Sequence, residues 1–178
     1  MKDLKGSRTE QNLRAAFSGE SEARNKYTYW ASKAKGEGYE QIAALFLETA
    51  ENEREHAKMW FKLLDGIGNT EQNLIHAAEG ENYEYTTMYK EFEEVAREEG
   101  FDKIADYFKE VAEVEEAHER RYLKLLENVR SGKVFKKDQP VRWKCRNCGY
   151  IHEGPEAPEC CPACLHPQTY YELMVENY

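Results

Sequence analysis

Apolar residues recur at helical spacing in four stretches of the chain, and each stripe is interrupted by glutamate on its apolar face. The first stripe is Leu13, Ala16, Phe17, Ala23, Tyr27, Trp30 and Ala34, with Glu20 among them. The second is Ile42, Phe46, Ala50, Ala57, Trp60 and Leu64, with Glu53. The third, Leu74, Ala77, Ala78, Met88, Phe92 and Val95, carries Glu81 and Glu84, three residues apart. The fourth, Ile104, Phe108, Val111, Tyr122 and Leu125, carries Glu115. Four helices are therefore predicted. Ser7 with Glu10 has the form of a capping box, Gly36 and Gly38 separate the first two helices, and the loop Asp65 to Asn69 ends the second. Gly100 precedes the fourth helix, which is expected to stop near Gly132.

Two of these helices are copies of one another. Residues 34 to 64 align without a gap on residues 96 to 126, a shift of 62 positions. Ile42, Phe46, Ala50, Glu53, His56 and Leu64 recur as Ile104, Phe108, Ala112, Glu115, His118 and Leu126. In both copies a histidine follows the stripe glutamate by three residues and shares its face.

A carboxylate on a core-facing stripe costs several kcal/mol unless it is paired or bound to a cation. Glu20, Glu81 and two Glu-x-x-His pairs are the donor set that helical bundles use to hold two metal ions. Oxygen and imidazole donors suit iron or manganese, with zinc also compatible. Glu84 is a surplus acid, because the residue three after Glu20 is Ala23. Tyr27 and Tyr89 fall about two turns beyond Glu20 and Glu81, as packing residues or as hydroxyl donors to a metal ligand.

The composition changes after residue 132. The charged segment Lys133 to Asp138, followed by Pro140, reads as a linker (about 133–140) between a helical domain, 1–134, and a small tail, 135–178. The tail holds all five cysteines, four of them as Cys145-Arg-Asn-Cys148 and Cys161-Pro-Ala-Cys164. Two such pairs within about twenty residues signal a tetrahedral thiolate metal site, and a tail this short needs a metal for stability. Cys160 is a spare thiol, and His76, His152 and His166, which lack a glutamate at metal spacing, are expected at the surface.

A formal net charge of -9 argues against nucleic acid as a partner. No apolar run has membrane length and no targeting segment is evident, so the cytoplasm is the expected compartment. The confined cysteines point to a local site rather than a disulfide framework.

Taken together, Gly19-Glu20, Glu53-Arg-Glu-His56, Gly80-Glu81-Asn-Tyr-Glu84, Glu115-Glu-Ala-His118 and the two cysteine pairs resemble the rubrerythrin family over essentially the whole chain. The resemblance implies a ferritin-like four-helix bundle with a non-haem di-iron centre, followed by a rubredoxin-like domain with one iron on Cys145, Cys148, Cys161 and Cys164. It implies Glu53 and Glu115 as bridging ligands, Glu20 on one iron, and Glu81 with His118 on the other. His56 and Glu84 would alternate as ligands to the first iron. It also implies reduction of hydrogen peroxide to water, as a protection against oxidative stress. The electrons would come from a rubredoxin or an NAD(P)H-dependent rubredoxin reductase. Leu165 departs from the glycine usual in a rubredoxin knuckle. A ferritin-like ferroxidase is the nearest alternative, and a binding module with a zinc-ribbon tail is a more distant one.

If the duplicated halves face each other across a two-fold axis, the second and third helices run parallel and the chain must return between them. That return covers about 28 Å, whereas residues 65 to 71 span only about 23 to 25 Å when extended. Exchange of helix pairs between two subunits removes this strain. The expected assembly is a domain-swapped homodimer in which Glu20, Glu53 and His56 of one chain meet Glu81, Glu84, Glu115 and His118 of the other.

Overall fold

The structure, a computed structural model, describes residues 3–177. The chain divides into two compact units, Met1–Gly68 and Asn69–Tyr178.

The first unit is a hairpin of α1 (Arg8–Gly36) and α2 (Glu40–Leu63). Ala31, Ala34 and Ala43 are buried along its seam with Phe46 packed against them, because small side chains let the two backbones approach. The second unit opens with α3 (Thr70–Tyr83), which passes through one π-helical turn, Glu84–Met88, into α4 (Tyr89–Glu98). All three pack on α5 (Asp102–Arg130). The repeat survives in the packing. Tyr27 and Trp30 meet Phe46 in the first unit, and Tyr89 and Phe92 meet Phe108 in the second.

The helix ends follow the expected signals, with three refinements. Ser7 accepts from the Glu10 N–H at 3.0 Å, but the Glu10 carboxylate turns back to the Gly6 N–H rather than to that of Ser7. A complete capping box, unnoticed in the sequence, stands at α3: Gln72 N–H donates to Asn69 Oδ1 and the Asn69 N–H to Gln72 Oε1, each at 2.9 Å. The expected linker is also shorter, because Lys136 already lies in a strand.

Four helices end alike, in a left-handed residue flanked by a pair of bonds back into the last turn. Gly38, Gly100 and Gly132 fill that place after α1, α4 and α5 with φ of 85°, 83° and 67°. After α2 it is filled by Asp65 at φ 54°, where a Cβ costs about 1 kcal/mol or more. Asp65→Gly is therefore expected to raise the melting temperature by about 2 to 4 °C, allowing ~1 kcal/mol of relief in a chain of this size. Thermal unfolding followed by circular dichroism checks this, and a lowered melting point would contradict it.

The hairpins bury less of their apolar stripes than the periodicity suggests. Ile42 and Ile104 remain 47% and 46% exposed, because packing two helices side by side covers only one flank of each stripe.

The C-terminal part is a three-stranded antiparallel sheet in the order β2-β1-β3, formed by β1 (Lys136–Cys145), β2 (Ile151–Glu156) and β3 (Tyr171–Leu173). Its core is small: Trp143, Cys145, Ala157, Cys161 and Tyr171, with Phe135, Val141 and Cys164 against it. The Trp143 indole N–H donates to Gly154 O at 3.1 Å, so the largest core side chain is also polar-satisfied. Among the described residues no helix is long and apolar enough to cross a membrane.

Candidate metal centres

Each unit builds the same three-residue group. In the first unit α1 supplies Glu20 and α2 supplies Glu53 and His56; in the second α3 supplies Glu81 and α5 supplies Glu115 and His118. In both groups the offered ligand atoms lie within 4.8 Å of one another. His56 Nδ1 stands 2.7 Å from Glu53 Oε2 and 3.8 Å from Glu20 Oε1. His118 Nδ1 stands 2.7 Å from Glu115 Oε2 and 3.7 Å from Glu81 Oε1. Two groups built from different stretches of sequence thus agree to within a tenth of an ångström. Their burial is less alike, since the His56 side chain is 53% exposed and that of His118 34%.

Glu84 lies outside the tight triplet but near enough to act on both Glu81 and Tyr89. Burial raises the Glu81 carboxyl above the usual carboxylate range, and Glu115 against it and Glu84 nearby raise it further, while His118 opposes them. Burial likewise raises the Tyr89 phenol, followed by Glu84, Glu115 and Glu81, so Tyr89 stays protonated and able to donate. Tyr27 sits among Trp30 and Phe46 as packing. These crowded carboxylates fit a cation: it would offset the repulsion that now holds Glu81 high. The two carboxylate and imidazole groups fit a di-iron centre.

The π turn explains the unequal offsets of the two tyrosines. Tyr27 follows Glu20 by seven residues, whereas Tyr89 follows Glu81 by eight. A π turn adds one residue without ending a helix, and here it starts at Glu84, where the Tyr89 N–H reaches back five residues to Glu84 O. The offset of eight was the signal in the sequence, and the extra residue lets Glu81 and Tyr89 both face α5.

In the C-terminal domain Cys145, Cys148, Cys161 and Cys164 converge from two knuckles. In the first the Gly149 N–H donates to Cys145 O at 2.8 Å with φ 80° at the glycine; in the second the Leu165 N–H donates to Cys161 O at 2.8 Å with φ 61°. Leu165 thus takes the left-handed conformation that glycine takes in its counterpart. The sulfur pairs Cys145–Cys164 and Cys148–Cys161 are both 3.7 Å apart. A tetrahedron with metal–sulfur bonds of about 2.3 Å has edges of about 3.8 Å, so the four thiols fit one metal ion. Burial alone would raise Cys161, but the Tyr171 hydroxyl and the Ala163 and Cys164 N–H groups outweigh it and lower it. That hydroxyl is buried without a full hydrogen bond, as suits a group turned toward a thiolate. The His166 N–H holds Cys164 down to about 6. The Tyr150 N–H pulls Cys148 down, but thiol sharing with Cys164, burial and the remaining cysteines prevail and push it up to about 12. Cys160 is exposed and outside the group.

His76 is exposed as expected, but His166 is not a free surface residue. Its Nδ1 lies 3.1 Å from Cys164 O and its ring meets the edge of Tyr170 at 4.4 Å. Its place two residues past a cysteine ligand was the only signal for this.

Helical hairpins bearing paired Glu-x-x-His groups, joined to a strand domain with four convergent thiols, define a ferritin-like metalloprotein with a rubredoxin-like tail. The profile of the family described as Rubrerythrin matches residues 11–126, and that of the rubredoxin-like domain of rubrerythrin matches residues 143–172. The rubrerythrin of Nitratidesulfovibrio vulgaris is 50% identical over 100% of both chains, and that of Porphyromonas gingivalis is 52% identical over 99% of this chain and 95% of its own. Nigerythrin, solved in a partially reduced state, is 35% identical, with 97% of this chain and 89% of that chain covered and a TM-score of 0.37. The chain belongs to the rubrerythrin family.

Proposed function

We propose that this protein reduces hydrogen peroxide to water. The observation that carries the reading is the presence, in one chain, of two carboxylate and imidazole groups and a four-thiolate site. Storing iron has no need of the thiolates, whereas a reductase must be refilled with electrons after each turnover. The reaction takes two electrons and two protons per peroxide and releases two waters. A bound di-iron centre supplies the pair of electrons that cleavage of an O–O bond requires.

In this reading residues 1–134 hold the peroxide-reducing centre and residues 135–178 deliver electrons from a rubredoxin or an NAD(P)H-dependent rubredoxin reductase. Glu53 and Glu115 would be shared between the two irons, Glu20 would hold one, and Glu81 with His118 would hold the other. His56 and Glu84 would alternate in holding the first iron, which would let the ligand charge follow its oxidation state. Tyr89, held protonated, would donate to a ligand carboxylate or to the peroxide substrate, and Tyr27 stands at the matching place in the other half. Both halves of the centre come from two copies of the chain, exchanged in a homodimer. The six-residue connector 64–69 and the exposed apolar stripes support that assembly.

The test is anaerobic reduction of the iron-loaded protein followed by one equivalent of peroxide or of dioxygen, with each centre followed by its own absorption. Peroxide is expected to reoxidise the di-iron centre at least about tenfold faster than dioxygen does. Faster reaction with dioxygen would instead identify a ferroxidase.

A further inference from the structure

The second unit contains a polar triangle that no metal site accounts for. Asn82 Nδ2 donates to Glu119 Oε1 at 2.9 Å, the Tyr85 hydroxyl donates to Glu119 Oε2 at 2.9 Å, and Asn82 Nδ2 lies 3.3 Å from the Tyr85 oxygen. All three residues are half-buried. Each directly follows a proposed ligand: Asn82 follows Glu81, Tyr85 follows Glu84, and Glu119 follows His118. The triangle therefore joins the end of α3 and the π turn to α5 on a flank about 100° round from the ligands. A further bond, from Thr86 Oγ1 to Asn82 O at 2.6 Å, engages a carbonyl just ahead of the turn.

Among the described residues the first unit has no such triangle. Glu119 corresponds to Ala57 through the 62-residue repeat, and Asn82, which precedes the extra residue, corresponds to Ser21. The Ser21 hydroxyl bonds within its own helix, to Phe17 O at 2.7 Å, and Ala57 has nothing to offer. Tyr85 corresponds to Ala23 or Arg24, depending on which side of the insertion it is counted. The triangle thus occurs only in the half that has both the π turn and the surplus carboxylate.

The reason is geometric. An extra residue in a helix can be accommodated at any of several neighbouring turns, and moving it by one position rotates the intervening side chain by about 100°. Tyr85 meets Glu119 only with the turn where it now stands. We propose that Asn82, Tyr85 and Glu119 are positioning residues that pin the π turn to α5 and so hold the Glu84 carboxylate on the metal-facing side. This deepens the proposed role of Glu84 and rests on it. Glu119 is well suited to such a pin, because its two oxygens each accept from a different donor on the facing segment.

The test uses full-length protein with Tyr85→Phe, Glu119→Gln, Glu84→Ala and the double variant Tyr85→Phe/Glu84→Ala. A crystal structure of metal-free Tyr85→Phe is expected to show the π turn displaced or Glu84 turned off the ligand face, with the helices otherwise intact. When iron-loaded, the variant is expected to keep full iron content, to lose roughly 10- to 100-fold in peroxide turnover, and to share the altered Mössbauer signature of Glu84→Ala. Glu119→Gln, which preserves shape and one acceptor, is expected to fall between this variant and wild type. The double variant is expected to match Glu84→Ala alone, because both changes act through one carboxylate. An unmoved π turn with Glu84 in place, or losses that simply add, would overturn the proposal. If Glu84→Ala itself turns over peroxide like wild type, the assigned role of Glu84 fails, and the crystal structure still decides whether the triangle holds the turn.

Discussion

Cys161→Ser is expected to give a protein without the tetrathiolate absorption, whose residues 136–173 are cut rapidly by protease while the helices persist. Cys161 is wholly buried and lies in a core of only five buried residues, so its metal is the main support of that domain. The serine hydroxyl is a poor substitute for a thiolate that Tyr171 and two N–H groups already stabilise. Electron delivery should fall at least about 100-fold, while a chemically reduced di-iron centre still reacts once with peroxide. Visible absorption and single-turnover kinetics measure both effects. Retention of the wild-type spectrum would rule out Cys161 as a ligand. The same set of thiols makes loading proton-linked: the His166 N–H holds Cys164 down while neighbouring thiols and burial push Cys148 up, so binding a metal releases the protons that the set still carries.

Glu115→Ala should remove iron from the helical centre and lower peroxide turnover at least about 100-fold, beyond what loss of an outer-shell partner costs. Metal-free stability should move the other way. Because burial and Glu115 raise Glu81 above its ordinary value of 4.5, the folded state binds that proton more tightly than the unfolded chain. Metal-free stability is therefore highest below the ordinary value and falls as pH rises through the raised one. The alanine variant loses part of that penalty, so its fall with pH should be shallower. Urea unfolding of the metal-free proteins between pH 4 and 7, roughly the range in which buried carboxyls titrate, checks the sign. Glu115→Ala and Glu53→Ala refolded together should recover up to about one intact centre for every three empty ones if helix pairs are exchanged. Absence of recovery would argue against exchange.

The four helices and both Glu-x-x-His groups could be read from the sequence because burying a carboxylate is expensive. An acid repeated on apolar stripes therefore reports a partner. The cysteine pairs were legible for a similar reason, since thiolate geometry dictates their spacing. The π turn was not read, although the eight residues from Glu81 to Tyr89, against seven in the other half, recorded it. Periodicity tolerates one extra residue and so does not place it. The Asn82–Tyr85–Glu119 triangle was invisible because it closes over 37 residues, between polar side chains that look like ordinary helix surface. The His166 contact leaves little trace for a different reason, because its partner is a backbone carbonyl, which every residue carries. The exposure of Ile42 and Ile104 shows where stripe reading stops: it identifies a face, not what covers it.

The four sulfurs are not equivalent toward their surroundings. Cys145 and Cys161 are sealed behind Trp143 and Tyr171, whereas Cys148 is open to solvent and Cys164 half so. The cluster therefore has a front and a back. A docking donor can approach in van der Waals range only from the front, so substitutions on that rim should slow intermolecular transfer while leaving the wavelength of the thiolate bands untouched.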